Sequence, residues 1–148
     1  MPMFPKSVEW PPAGTLQGKG RSKVWEGRIA IAPFGEFDLR VHGTAEGPTP
    51  AQTGAMQKVL ANTAALRDTA GAPMVEVIVE GGILPDGLAL DTASLWSQLK
   101  PSFVEVAQPD YDPSGAIAIS LGFEMPWWDE HLLHIRTLEG EFDEAYPE

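Results

Sequence analysis

The densest run of reactive side chains is Trp127-Trp128-Asp129-Glu130-His131-Leu132-Leu133-His134. Two imidazoles beside two carboxylates are the raw material of a metal site, or of an acid–base pair. Spacing tells against the metal. On a strand, positions 131 and 134 are an odd number apart and project from opposite faces. A helix would align them, but Leu132, Leu133 and Ile135 run into a β-like ending, so neither a metal nor a cofactor is expected. Asp129 and Glu130 are adjacent, which is the habit of a solvated turn. The alternative this run leaves open is a small hydrolytic or ligand-binding enzyme using Asp129, Glu130, His131 and His134. It requires those four side chains to converge on one concave pocket.

No other catalytic set assembles by motif. Gly18-Lys19-Gly20-Arg21-Ser22 has the composition of a phosphate-cradling loop without the Walker spacing or a leading strand. Ser114 stands in Pro-Ser-Gly rather than in a Gly-x-Ser-x-Gly elbow. The chain has no cysteine, which removes disulfides, thiolate nucleophiles and Cys-ligated metals together. The expectation is a protein that is not an enzyme and that works by binding.

Charge narrows what it binds. Ten Lys and Arg face 21 Asp and Glu, a formal charge of −11, which repels nucleic-acid backbones and anionic lipid heads. The acid is also uneven, with eight acidic groups and one basic group in residues 124–148. A protein partner with a basic surface fits this balance, since complementary charge speeds encounter and sharpens partner choice. Adjacent Trp127 and Trp128 cannot both point inward from an extended segment, so one is a candidate aromatic anchor. The candidate partner-binding set is therefore Trp127, Trp128, Asp129, Glu130, Glu141, Asp143 and Glu144.

The elements that must position this set follow from punctuation and periodicity. Residues 1–22 are rich in proline and glycine and read as an arm without regular structure. Residues 23–148 read as a single α+β domain. Ile29 and Ile31 share one strand face, as do Phe37, Leu39 and Val41, with a turn at Pro33 to Gly35 between them, giving a hairpin. Thr49, Pro50 and Gln52 form a helix start, with a hydroxyl at the N-cap, proline at N1 and a reciprocal amide at N3. That helix is expected to run to about Ala70 and stop near Gly71.

In Pro73 to Glu80, β-branched residues favour a strand, whereas the flanking Pro73 and Gly81-Gly82 favour a second short helix. The helix is taken. Asp91 caps a short helix from Thr92 to Leu99. Strands are expected around Phe103 to Val106, Ala116 to Phe123, His131 to Leu138 and Glu141 to Ala145. The fold class is α+β, an antiparallel sheet with helices packed on one face. No apolar stretch approaches membrane-spanning length, and the start of the chain has no signal-peptide pattern, so the chain reads as cytoplasmic.

Three segments, taken together, resemble a bacterial family of uncharacterised domains found beside polymorphic toxins and commonly taken as their immunity proteins. They are Pro48-Thr-Pro-Ala-Gln52 opening the long helix, the short helix and strand of Leu95 to Val106, and Gly122-Phe123 ahead of Trp128-Asp129-Glu130-His131. The family typically reads Trp-Asp-x-Glu-His-Gly in the last stretch. Here the residue between Asp129 and Glu130 is missing, and Leu132 stands where glycine is usual. The resemblance spans residues 24 to 145. It implies stoichiometric neutralisation of a cognate toxin, with no catalytic residues to carry over.

Overall fold

The proline- and glycine-rich start of the chain is a hairpin, not an unstructured arm. In the computed structural model, which describes residues 5–19, 23–128 and 131–148, strand β1 (Pro5–Trp10) pairs antiparallel with β2 (Gly14–Lys19). The residues that looked like breakers have defined places in it. Pro11 and Pro12 occupy the turn, and Gly14 supplies its positive φ of 98°. Gly18 faces Trp25 across the β2–β3 pair, and a Cβ there would stand 2.9 Å from the indole. Glycine lets the ring lie flat on the neighbouring strand.

Strand β3 (Val24–Ile31) and β4 (Gly35–His42) form the expected hairpin around Pro33 to Gly35. The helices follow. α1 (Pro50–Ala61) opens with the reciprocal Thr49–Gln52 capping box. The single helix expected up to Ala70 is two helices, because the chain turns at Asn62, whose amide donates to the Gly140 carbonyl at 2.9 Å. α2 (Thr63–Glu80) then runs unbroken through Gly71 and Pro73, so the expected stop near Gly71 is absent.

Tertiary packing accounts for this continuity. Leu66, Ala70, Met74 and Ile78 repeat every four residues and are fully buried, overriding the β-preference of the valines. Gly71 lies against Thr92 at the contact with α3 (Thr92–Gln98). α3 carries the expected Asp91 cap.

Four more strands complete the sheet: β5 (Lys100–Val106), β6 (Ala118–Glu124), β7 (Leu133–Leu138) and β8 (Glu141–Pro147). The order is β1-β2-β3-β4-β5-β6-β7-β8, antiparallel throughout except for the parallel β4–β5 pair. A hairpin joins antiparallel neighbours, whereas parallel neighbours need a crossover, and all three helices sit in that one crossover.

Strand alternation sorts the two faces. Trp25, Ile29, Phe37, Leu39, Val104, Leu121, Phe123 and Ile135 point to the helix side and form the core with Met56, Leu66, Met74 and Leu95. The other face carries Glu26, Arg40, Glu105, Ser120, Arg136 and Glu144 in one row across six strands, each directly opposite the next. No helix among the described residues is long and apolar enough to cross a membrane.

Candidate functional site

Five of the seven residues singled out from sequence are described, and they fall at three places. Trp127 and Trp128 stand at the β6–β7 corner, Asp143 and Glu144 lie mid-strand in β8, and Glu141 begins β8 at its opposite end. Asp129 and Glu130 lie outside the described residues.

At the corner both indoles are half-buried and packed against the core. The Trp127 Nε1–H is buried with no hydrogen-bond partner among the described residues. Trp128 stacks on His131 with ring centroids 4.4 Å apart and planes 20° from parallel. This pair, with Lys100 and Glu124, bounds an open cleft of about 550 Å³. Lys100 and Glu124 are cross-strand partners, 3.9 Å between charges.

The two histidines both reach Glu148 but stand in different surroundings. His131 is exposed on the cleft, its Nδ1 3.2 Å from the Glu148 carbonyl. His134 lies on the uncovered sheet face, yet it is only 5% exposed. Gly122 makes that possible: a Cβ there would stand 2.9 Å from the imidazole Cε1, so the ring occupies the space glycine leaves. Tyr146 covers the other side, stacked at 4.9 Å and 11°. His134 Nε2 stands 2.7 Å from Glu148 Oε2 but out of hydrogen-bond alignment. Burial holds the imidazole below its ordinary pKa, against the opposing pull of Glu148 and Glu105. Among the described residues, no group of three or more metal-ligating side chains comes together.

Asp143 and Glu144 are not free acids. A bulge between Arg136 and Thr137 sets both of them against one guanidinium, Asp143 on Nε at 2.8 Å and Glu144 on Nη2 at 2.6 Å. The Asp143 hydrogen bond leads in raising the Arg136 pKa. Glu141 makes no ion pair among the described residues.

Two features escaped the sequence reading. The first is a pocket of about 180 Å³ on the open face, where His42 Nε2 meets Glu105 Oε2 at 2.9 Å and the Tyr146 hydroxyl donates to Ser120 at 3.3 Å. These residues are scattered over β4, β5, β6 and β8, and register alone unites them. The second is the outer stripe of α2, where Asp68, Glu76 and Glu80 are exposed and unpaired among the described residues, beside Val79 at 52% exposure. Glu80 ends the helix with no basic residue in the last turn, although the macrodipole there favours cations.

No family model, curated protein or solved structure matches the chain.

Proposed function

We propose that the chain neutralises a cognate bacterial toxin domain in the cytoplasm by stoichiometric binding to a basic surface of that domain. The observation that carries this reading is the charge left over once internal pairs are made. Arg28, Arg40, Lys58, Lys100 and Arg136 are all engaged in ion pairs, and Arg67 lies over the Trp96 ring. The carboxylates of Glu46, Asp68, Glu76, Glu80, Asp86, Asp110 and Glu141 find no cation among the described residues. Lys6 and Lys23 make no ion pair among the described residues, so unpaired acids outnumber unpaired bases there, an excess suited to meeting a basic partner. Trp128 on its cleft and Glu141 remain partner-facing in this reading.

His134 is buried beneath Tyr146 while His131 is exposed on the cleft, which supports binding over an enzyme that needs both imidazoles in one pocket. A toxin-domain gene is expected beside the gene for this chain; co-expression with that toxin domain should restore growth, and the two proteins should elute as a 1:1 complex. Persistent growth arrest with no co-elution overturns the reading.

A further inference from the structure

The pocket on the open face presents a carboxylate that its own neighbours decline to neutralise. Glu105 lies between Arg40 and Ser120 in the cross-sheet row. Arg40 turns instead to Glu26 at 3.5 Å and covers the Phe103 ring at 5.2 Å. On the far side, the Arg136 fork is filled by Asp143 and Glu144. The partner left to Glu105 is the His42 imidazole, which satisfies one carboxylate oxygen.

Two aromatic rings flank this carboxylate. Tyr146 is half-buried in the pocket wall, its ring already engaged by His134 stacked at 4.9 Å and by the Arg136 guanidinium 5.7 Å from its centroid, whereas Tyr111 stands 56% exposed at the rim. An exposed aromatic face beside a carboxylate whose remaining partner is one imidazole attracts an organic cation. The pocket is smaller than the roughly 300–1,000 Å³ of sites for drug-sized ligands. It suits the head group and last methylenes of one long basic side chain.

We propose that this pocket is a cation subsite that receives a single Lys or Arg side chain of the bound partner, with Glu105 pairing its charge and Tyr111 covering its stem. The identity of the partner rests on the neutralising function proposed above; the cation preference does not. The ligand enters from the uncovered side of the sheet, with Tyr111 at the rim as the exposed aromatic anchor.

The test uses N-acetyl-arginine amide and its neutral isostere N-acetyl-citrulline amide, followed by NMR of the full chain. The arginine probe should shift Tyr111, Tyr146 and His42 saturably. Glu105→Gln, which keeps shape and removes charge, and Tyr111→Ala should each weaken it about fivefold. Absence of a saturable shift, equal binding of citrulline, or an unchanged response in Glu105→Gln overturns the subsite. If the toxin complex forms while the probe fails, the subsite is lost and the neutralising function stands. If the probe binds and no complex forms, the function is lost and the cation site stands.

Discussion

His134 shows how one side chain on an uncovered sheet face becomes core. The missing Cβ of Gly122 and the stacked ring of Tyr146 enclose it, and enclosure disfavours its charged form. With its folded pKa below the unfolded value of about 6.5, the native state binds fewer protons, so stability is full above that pH and falls as the pH drops through the folded pKa. Urea midpoints measured at pH 7.5 and 5.0 should therefore separate in the parent, and by less in His134→Phe, which keeps a ring on Tyr146 and cannot be protonated. Equal separations in the two proteins would remove His134 as the cause. Gly122→Ala forces a methyl to within 2.9 Å of the imidazole and should lower stability by about 1–3 kcal/mol in the same measurement. His131 precedes the first residue of β7, so strand alternation between positions 131 and 134 does not explain their different surroundings; the burial of His134 was not legible in the sequence either, because it depends on a glycine in another strand.

Among the elements, α1 is fastened by a side chain that the sequence marks as a cap and the fold uses twice more. Gln52 is fully buried; besides accepting from Thr49 N–H, its amide donates to the carbonyls of His42 at 2.6 Å and Ala107 at 2.9 Å. It thereby ties the helix start to the ends of β4 and β5. Gln52→Glu keeps the acceptor for the cap but turns a carboxylate towards two carbonyl oxygens, and should cost about 3 kcal/mol or more by urea unfolding. Helix starts at Thr49 and Asp91 were legible because capping chemistry is local. The turn at Asn62 was not, because its cause is the Gly140 carbonyl, far along the chain. The continuation of α2 past Gly71 and Pro73 was equally hidden, since it depends on a buried stripe facing the sheet and on α3. The β1–β2 hairpin was misread because glycine and proline signal breaks, whereas here they make a turn and a seat for Trp25.

At the scale of the whole molecule, unpaired acids outnumber unpaired bases among the described residues, and they face outward. Glu76→Lys, Glu80→Lys and Glu141→Lys combined should slow association with a basic partner at least about tenfold at low salt, the difference shrinking as salt is added. Melting temperature should hold or rise, because lysine suits the last turn of α2 better than glutamate does. An unchanged association rate would show that acidity does not steer encounter. The sheet's sequential order has a separate consequence for how the chain comes together. Each half, β1 to β4 and β5 to β8, zips up from contacts between sequence neighbours, and the parallel β4–β5 seam must wait for a long loop to close. A nick between Gly82 and Leu90, in the loop after α2, leaves every strand pairing except that seam within one fragment. The two fragments, produced separately and mixed, should reassemble into one folded particle, with docking of the halves as the slow, concentration-dependent step.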